Sequence, residues 1–374
     1  MKPVQRIPVK TTSRQYNVIV GSELLSDAGA LLCRELRLPA EAGVVVSSEP
    51  VWKHWGEALG SSLNQAGFRW NHILIPDGEE AKRLSTLEQA AEQMVAHHVD
   101  RSTLVIAFGG GVVGDVAGFL AATFMRGLRY VQIPTTLLAQ VDASVGGKTG
   151  VNLAGGKNML GCFHQPECVL ADTAVLSTLS DREYRAGLYE VIKSGAICDT
   201  QLFFHAERHS RQILARDAEA ILRCVEGSVR VKANIVSQDE RETGLRRILN
   251  FGHTIGHALE SDSNYTQFLH GEAIAWGMIA AAKLASDLGR APGDVSDRIR
   301  EVVFSYGALP TINGDVTAIA TRLAADKKTV GGKNHFIFVP QLGKAEVVSD
   351  IPHDAVVSAV AYVKGLSRSQ GAQA

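Results

Sequence analysis

Short apolar runs alternate with amphipathic stretches along the first half of the chain. Four runs rich in apolar and β-branched residues predict buried strands, at residues 44–46, 72–75, 103–108 and 130–133. Hydrophobic residues at helical spacing follow the first run up to residue 66 and return over residues 84–98. Strands separated by helices are typical of a parallel sheet covered on its faces. We therefore predict an α/β domain with a Rossmann-like parallel sheet over residues 1–175.

From about residue 176 the apolar positions recur every three to four residues. Ser180 and Glu183 form a capping box, which predicts a helix running to about residue 197. Further helices are predicted at residues 217–236, 251–260, 271–288 and 294–306. One strand is predicted at residues 336–339, and residues 367–374 are expected to form a frayed end. The second domain, residues 176–374, is therefore predicted to be mostly α-helical.

Composition excludes several classes of protein. Of the 374 residues, 45% are apolar and 21% are charged, and the mean hydropathy is +0.03, as in ordinary globular proteins. The formal net charge of −1 lacks the basic excess of nucleic-acid-binding proteins, so no nucleic-acid partner is expected. Residues 273–285, the most apolar stretch, are too short to span a membrane, and residues 1–21 contain no signal-peptide core. Five cysteines without a Cys-x-x-Cys pair favour a reducing compartment, which predicts a cytoplasmic location.

Glycine is concentrated in one part of the chain, since 12 of the 36 glycines lie between residues 109 and 161. Residues 109–115 read Gly-Gly-Gly-Val-Val-Gly-Asp and fit the Gly-x-Gly-x-x-Gly pattern that lets a backbone approach a pyrophosphate. An acidic residue about 20 positions later would bind a ribose, but the next acid after Asp115 is Asp142. The motif alone therefore leaves nucleotide binding and a tight strand–helix turn equally open.

Two further polar segments follow predicted strands. Residues 77–82 (Asp-Gly-Glu-Glu-Ala-Lys) follow the strand at 72–75, and Thr135 and Thr136 follow the strand at 130–133. The carboxyl ends of parallel strands are where open α/β sheets bind ligands. Residues 77–82 could contact a ribose and a phosphate, or they could be a helix start with acids placed for its dipole.

A second glycine-rich region carries two lysines. Residues 142–149 end in Gly-Gly-Lys-Thr, but Asp142 occupies the position where a P-loop requires its first glycine, so a P-loop is excluded. Lys148 and Lys157 lie in these loops, either as anion contacts or as solvated lysines.

Histidine and glutamate spacing indicates a possible metal site. His253 and His257 are four residues apart on one predicted helix, and His270 precedes another. Glu190 and Lys193 share one face of an earlier helix. Nitrogen and carboxylate donors suit a catalytic Zn²⁺ or a similar ion, and spacing alone selects His253 and His257 as the ligand pair. The alternative is that these are ordinary core or surface histidines.

Basic residues accompany these positions along the chain. Lys232, Arg246, Lys327, Lys328 and, further upstream, Arg126 could together bind a small phosphorylated or carboxylated substrate. Each of them singly could equally be a solvated helix end.

Taken together, these residues resemble the 3-dehydroquinate synthase family of sugar phosphate cyclases. The resemblance covers roughly residues 40–345 and depends on several runs in a fixed order: 109–115, 134–148 (Pro-Thr-Thr-Leu-Leu-Ala-Gln-Val-Asp-Ala-Ser-Val-Gly-Gly-Lys), 156–158, 190–193, 246–257 and 270–272. Each run alone is weak, but the ordered set is highly specific.

The resemblance implies a fold and a set of ligands. Members of the family are homodimers in which an α/β domain and a helical domain bind NAD and one divalent metal ion, with the active site in the cleft between them. The NAD contacts it implies are Asp77, Gly78, Glu79, Glu80, Ala81, Lys82, Gly111, Val112, Val113, Gly114, Asp115, Thr135, Thr136, Asp142, Lys148, Lys157, Val175, Leu176, Ser177 and Thr178.

The resemblance also implies metal and substrate residues. The ligands of a Zn or Co ion would be Glu190, His253 and His270, which moves His257 from the metal to the substrate. The substrate site would be lined by Asp142, Lys148, Lys193, Lys232, Arg246, Asn250, His257 and one of Lys327 and Lys328. Arg126 would reach the phosphate site of the partner subunit.

The implied reaction converts 3-deoxy-D-arabino-heptulosonate 7-phosphate into 3-dehydroquinate and phosphate, a step of the shikimate pathway to aromatic amino acids. It proceeds by transient oxidation with NAD, elimination of phosphate, re-reduction, ring opening and intramolecular aldol closure. The substrate phosphate can serve as the base for its own elimination.

Three alternatives remain open at this point: a sister cyclase of the 2-deoxy-scyllo-inosose or valiolone type, a metal-dependent polyol dehydrogenase, and an inactive NAD-binding homologue. The sequence departs from the family pattern at Tyr189, Ser194, Ser47-Ser48 and residues 152–156, without losing an implied metal ligand.

Overall fold

The computed structural model describes residues 4–37, 42–325 and 335–371, and the chain divides into two compact units. The first unit contains residues 1–180 and 232–241, and the second contains residues 181–231 and 242–374. The division after residue 180 lies five residues beyond the predicted boundary. Nothing in the apolar pattern indicated that residues 232–241 join the first unit.

The first unit is built on a seven-stranded sheet. Its strands and hairpin are β1 (Gln5–Lys10), β2 (Gln15–Gly21), β3 (Ala42–Ser48), β4 (Arg69–Ile75), β5 (Leu104–Gly109), β6 (Tyr130–Pro134), β7 (Lys148–Leu153), β8 (Gly156–Phe163) and β9 (Cys168–Asp172), and its main helices are α1 (Ala28–Leu36), α2 (Glu49–Gln65), α3 (Leu84–Ala96) and α4 (Gly111–Thr123). The sheet order is β1-β2-β9-β6-β5-β3-β4, and β7 pairs with β8 in a separate antiparallel hairpin. All neighbours in the sheet are parallel except β1 and β2.

Both faces of this sheet are buried, which explains the uninterrupted apolar runs of the sequence. In β3, Val45 packs with α1 and α2 on one face, whereas Val44 and Val46 pack with α3 and α4 on the other. Successive side chains of a strand point to opposite faces, so a strand covered on both sides needs apolar residues at every position. The predicted parallel α/β domain is confirmed.

The second unit is mostly helical. Its elements are α5 (Asp181–Cys198), α6 (Thr200–Arg208), α7 (Ser210–Leu214), most of α8 (Ala218–Gln238), α9 (His253–Asp262), α10 (His270–Asp287), α11 (Gly293–Ser305), α12 (Val316–Ala325), the antiparallel strands β10 (His335–Gln341) and β11 (Lys344–Ser349), and α13 (His353–Gly371). The predicted mostly helical second half is confirmed. None of the helices in the described ranges is long and apolar enough to cross a membrane.

The prediction of a frayed end from residue 367 was wrong over the residues that the structure describes. Helix α13 continues to Gly371, and Ser367 is fully buried. Its Oγ accepts a hydrogen bond from Ile312 N at 3.0 Å, which ties the last helix to the loop before α12.

Candidate active site

The loops predicted to bind NAD follow the carboxyl ends of the parallel strands in the first unit. Residues 77–82 follow β4, residues 111–115 open α4 after β5, Thr135 and Thr136 follow β6, and Thr173–Thr178 form a 3₁₀ turn after β9. The order of strands reverses between the adjacent strands β3 and β5. Such a switch point is where open α/β sheets bind ligands, so the fold brings these segments to the expected edge.

The glycine-rich turn is shaped by close packing against β6 and the segment that follows it. A Cβ on Gly110 would lie 3.0 Å from Thr136 Cγ2, and one on Gly114 would lie 2.8 Å from Gln132 Oε1. Helix α4 begins at Gly111, and its N-cap residue, Gly110, has no side chain that could accept from the first turn. A helix start without a side-chain cap is the arrangement that binds a pyrophosphate.

Two of the predicted NAD residues, Lys82 and Asp115, form an ion pair in which Lys82 is buried and Asp115 is partly buried. Lys82 is 5% exposed, and its Nζ lies 2.5 Å from Asp115 Oδ2 and also contacts Asn158 Oδ1. Burial raises the pKa of the Asp115 carboxyl, and the charge of Lys82 opposes that rise. Asn152 donates to Glu79 Oε1 at 2.8 Å and to Lys82 O at 2.7 Å, so the β7–β8 hairpin holds residues 77–82 in place.

Two buried hydroxyl groups at this edge have no hydrogen-bond partner among the described residues. They are Thr135 Oγ1, after β6, and Ser48 Oγ, at the end of β3. An unsatisfied buried polar atom costs about 1–3 kcal/mol, which a bound ligand can recover. Ser48 was not among the NAD contacts implied by the resemblance, although Ser47-Ser48 was identified as a departure from the family pattern. Its position at the end of a strand beside the switch point is a further signal.

Asp142 and Lys232, predicted to line the substrate site, meet in the first unit. Asp142 lies in a π-helical turn, Ala139–Ala143, a local geometry often found at functional sites. Lys232 Nζ donates to Asp142 Oδ1 at 2.6 Å and to Asp142 O at 2.7 Å. Lys232 is 7% exposed, so this ammonium group is held in a largely desolvated position.

Three helices of the second unit pack unusually closely, and glycine makes this possible. A methyl group on Gly271 of α10 would collide with the carbonyl oxygen of Ala186 in α5. Likewise, a methyl group on Gly277 of α10 would collide with the carbonyl oxygen of Gly252, which has a φ of +82° and immediately precedes α9. These contacts bring together Glu190 on α5 and the first residues of α9 and α10, which are His253 and His270.

His253, His257 and His270 form a tight cluster in the second unit. Their ligating nitrogens all lie within 4.8 Å of one another, and the ring centroids are 5.3 to 5.8 Å apart. Glu190 Oε1 lies 3.9 Å from His270 Nε2. The structure therefore brings together both the pair selected by spacing and the set implied by the resemblance.

The Glu190 carboxylate has the environment expected of a metal ligand. It is 1% exposed, and neither of its oxygens accepts a hydrogen bond from the described residues. Lys193 Nζ supplies an ion-pair contact to Oε2. A buried carboxylate without hydrogen bonds requires cations, and one carboxylate with imidazole nitrogens suits Zn²⁺ or Co²⁺. The residues present therefore fit a divalent metal ion.

The pKa values of the histidines differ in direction. Desolvation, together with the charges of Lys193 and the other two histidines, lowers the pKa of His253 well below its usual value. Desolvation also acts on His270, but a hydrogen bond to Glu260 and the charges of Glu260 and Glu190 outweigh it and raise its pKa. His253 is thus held neutral, the form that binds metals, while the field at His270 favours positive charge.

The remaining predicted residues are spread over both units. Arg246 is 2% exposed in the second unit, where Asn250 Nδ2 donates to Glu242 Oε1 at 2.8 Å. Lys148, at the start of β7, and Arg126, with a φ of 69°, are exposed in the first unit. Lys327 and Lys328 lie outside the described residues.

Two carboxylates of the second unit were missed by sequence reasoning. Glu242 is bonded to Asn250, and Glu260 faces His270. Glu260 lies seven residues after His253, which puts both on one face of α9, and this spacing is the signal that could have found it.

The chain matches known proteins along most of its length. The family model described as 3-dehydroquinate synthase N-terminal matches residues 72–186, and that described as 3-dehydroquinate synthase C-terminal matches residues 187–329. A curated 3-dehydroquinate synthase of Koribacter versatilis (strain Ellin345) is 48% identical over 364 residues, covering 97% of this chain and 99% of that protein.

Solved structures of sugar phosphate cyclases share the fold. A 2-epi-5-epi-valiolone synthase from Streptomyces hygroscopicus subsp. jinggangensis 5008, with NAD⁺ and Zn²⁺ bound, has a TM-score of 0.86 at 29% identity and covers 94% of this chain and 97% of its own. A 2-deoxy-scyllo-inosose synthase complexed with carbaglucose-6-phosphate, NAD⁺ and Co²⁺ has a TM-score of 0.85 at 26% identity, covering 95% and 99%. The sequence matches span nearly the whole chain, and the chain belongs to the 3-dehydroquinate synthase family.

Proposed function

We propose that this enzyme converts 3-deoxy-D-arabino-heptulosonate 7-phosphate into 3-dehydroquinate and phosphate, using NAD and one divalent metal ion. The observation that carries the proposal is the cluster of three histidines beside the buried Glu190 carboxylate. Similar cyclase structures hold NAD⁺ with Zn²⁺ or Co²⁺, which supports the same pair of cofactors here.

Each cofactor has a proposed set of residues. When bound, NAD supplies a hydride acceptor that is regenerated in each turnover, and the metal ion supplies Lewis acidity. The metal would be held by Glu190, His253 and His270. NAD would be held at the carboxyl edge of the sheet by the first turn of α4, residues 77–82, Thr135, Thr136 and the turn after β9, with support from the unpartnered hydroxyl of Thr135.

The buried cations are proposed to bind the two anionic groups of the substrate. Lys193, Lys232 and Arg246 are 2%, 7% and 2% exposed. Desolvated cations interact strongly with carboxylate and phosphate groups, and the planar guanidinium of Arg246 can bind either in a bidentate manner. Lys193 and Lys232 are already oriented by Glu190 and Asp142, so little side-chain entropy is lost when the substrate binds.

His257 and Asn250 are proposed to handle protons and developing charge. His257 is the exposed member of the histidine cluster, and an exposed imidazole can exchange a proton with solvent or substrate. Asn250 is oriented by its bond to Glu242, which leaves its side-chain carbonyl available as an acceptor.

A homodimer is also part of the proposal, with Arg126 serving the phosphate site of the partner subunit. Arg126 is exposed and in the left-handed backbone region, so the chain turns sharply where it presents this side chain. A cytoplasmic location is supported by the five cysteines, all of which are free thiols.

The two enzymatic alternatives predict different substrates or products. A sister cyclase acts on a sugar phosphate without a carboxylate, and the cyclase structures are only 29% and 26% identical, against 48% for the synthase relative. A polyol dehydrogenase would not need the three buried cations and would release NADH.

Product analysis tests the proposal. The purified protein is loaded with Zn²⁺ or Co²⁺, given NAD and offered either the heptulosonate phosphate or sugar phosphates that lack the carboxylate, one a hexose phosphate and one a heptulose phosphate. We expect 3-dehydroquinate from the first and no product from the others. Turnover of the carboxylate-free substrates alone would replace this proposal with the sister-cyclase alternative.

A further inference from the structure

Glu260 is a buried carboxylate that faces one of the proposed metal ligands. It lies on α9, is 3% exposed, and its Oε2 is 3.4 Å from His270 Nδ1. The other ring nitrogen of His270, Nε2, points towards Glu190, whose Oε1 is 3.9 Å away. The two nitrogens of this imidazole therefore face two different carboxylates.

His253, another proposed metal ligand, also faces a hydrogen-bond acceptor with its Nδ1, but this acceptor is a backbone carbonyl. His253 Nδ1 lies 3.2 Å from the carbonyl oxygen of Phe251. A carbonyl oxygen can only accept, so His253 carries its proton on Nδ1 and its lone pair on Nε2. His253 is thus held by a neutral acceptor, and His270 by an anionic one.

This difference has a chemical consequence. A neutral imidazole has one N–H and one lone pair, so donation from Nδ1 to a carboxylate fixes the lone pair on Nε2. A carboxylate acceptor also raises the basicity of the ligand and fixes the orientation of the ring. Glu190 and Glu260 place two carboxylates beside His270, and Lys193 forms an ion pair with Glu190.

We propose that Glu260 is a positioning residue that fixes His270 as the Nδ1–H tautomer, so that His270 binds the divalent metal through Nε2. The inference rests on the proposed metal site. Glu260 acts through His270 and not through the substrate, so its removal weakens the affinity for the metal itself.

Metal affinity of the whole protein is the first test. The dissociation constant for Zn²⁺ is measured by competition between metal-stripped protein and a chromophoric chelator. Glu260→Gln, which keeps an acceptor but loses the charge, is expected to bind Zn²⁺ about 10–100-fold more weakly than wild type, and Glu260→Ala more weakly still. Unchanged affinity in both variants would overturn the proposal.

A matched control separates this effect from the general loss of one carboxylate. Glu207 lies in the same unit, in α6, and is paired with Arg298 at 2.5 Å. Glu207→Gln removes the same charge away from the cluster and is expected to leave the Zn²⁺ affinity at the wild-type value. An equal loss in Glu207→Gln and Glu260→Gln would refute a specific role for Glu260.

The tautomer can be observed in the wild-type protein, which keeps the proposal testable if a variant does not fold. In Zn²⁺-loaded protein with ¹⁵N-labelled histidine, long-range ¹H–¹⁵N spectra are expected to show His270 protonated at Nδ1 and metal-bound at Nε2. Metal binding through Nδ1 would overturn the proposal. Wild-type protein that binds no Zn²⁺ would instead remove the proposed metal site. Normal wild-type binding with unchanged affinity in both Glu260→Gln and Glu260→Ala removes only this inference.

Discussion

The rings of His253, His257 and His270 lie at similar distances from one another, but their surroundings differ. His253 and His270 are each held through Nδ1 by an acceptor, while His257 is the exposed member of the cluster. Spacing alone selected His253 and His257, because two histidines four residues apart always share a helix face. His270 differs from the other two histidines in facing the Glu260 carboxylate. Glu260 lies on α9 and His270 on α10, so only the packing of these two helices brings them together.

His270→Ala is expected to weaken metal binding by more than about 100-fold, beyond the loss typical of an orienting partner, and to abolish turnover. NAD affinity should be unchanged, because every residue proposed to contact NAD belongs to the first unit. Metal content after dialysis and calorimetric titration with NAD measure the two effects.

His257→Ala is the comparison for that variant. We expect it to retain the metal and to lose most of its activity, since the proposed role of His257 concerns the substrate. If His257→Ala loses the metal while His270→Ala keeps it, the proposed ligand set is wrong and the pair selected by spacing is right.

At the scale of elements, the metal cluster depends on the close approach of α5, α9 and α10. Gly271 directly follows His270, and Gly271→Ala would push a methyl group into the carbonyl oxygen of Ala186 on α5. Overpacking of this kind costs about 1–3 kcal/mol, and the movement of α10 should displace His270 from the cluster. We expect a lower melting temperature and weaker Zn²⁺ binding together.

Gly365→Ala provides the matched substitution, because Gly365 lies inside α13 and its added methyl group would have no atom within 4 Å apart from its chain neighbours and the adjacent backbone of its own helix. Replacing a helical glycine by alanine in open space stabilises a helix by up to about 1 kcal/mol. Melting temperature should stay level or rise, and metal affinity should not change. A Gly271→Ala protein that behaves like Gly365→Ala would show that close packing of α10 does not position the cluster.

The end of α8 is tied to the turn between β1 and β2 through Glu240. Its carboxylate accepts hydrogen bonds from Ser13, from Thr12 at 2.7 Å and from Gln165 at 3.0 Å. Partial burial raises the pKa of Glu240, but these bonds outweigh that and lower it to about 2. These contacts explain why residues 232–241 belong to the first unit. Lys232, at the start of this segment, binds Asp142 in the same unit.

A carboxyl group whose pKa is lower in the folded than in the unfolded protein stabilises the fold at pH values above its unfolded pKa. This stabilisation is lost as the pH falls towards the folded pKa. Wild type should therefore be more stable than Glu240→Gln at pH 7, by about 1 kcal/mol after allowance for solvent screening. Most of that difference should vanish between about pH 5 and pH 2, because the stabilisation is lost as pH falls through the folded pKa. Melting temperatures of both proteins across this range measure it, and a difference independent of pH would contradict the assignment.

Prediction from sequence worked best where burial was complete. Strands β3, β5 and β6 are buried along almost their whole length, so their composition alone indicated them. The edge strand β4 was indicated by its buried second half, which contains Ile73 and Ile75. Strand β1 was missed because Pro8 lies at its centre, which is tolerated only because β1 is at the edge of the sheet. The β7–β8 hairpin was missed because β8 has no buried side chain, β7 is buried only over residues 149–151, and neither strand shows a clear apolar alternation.

At the scale of the whole molecule, the proposed dimer predicts that subunits complement one another. Arg126→Ala leaves a chain with an intact metal cluster, and His270→Ala leaves a chain with an intact Arg126. Each should be inactive alone, but in a mixed dimer one site would receive both groups. Random reassortment of equal amounts should restore about a quarter of wild-type activity, since half of the dimers are mixed and each has one working site.

Activity measured before and after unfolding and refolding the two variants together would show this recovery. Separately refolded proteins, mixed afterwards, serve as the control. No recovery in protein that has reassorted would show that Arg126 serves its own subunit or has no part in the reaction.

The central claim is that NAD is consumed and regenerated within each turnover while phosphate leaves the substrate. The most direct measurement follows phosphate and NADH together in one reaction that contains metal-loaded enzyme, excess heptulosonate phosphate and much less NAD than substrate. We expect phosphate in many-fold excess over the NAD supplied, with no accumulation of NADH. Accumulation of NADH in step with substrate consumption, or the absence of phosphate release by folded, metal-loaded protein, would contradict it.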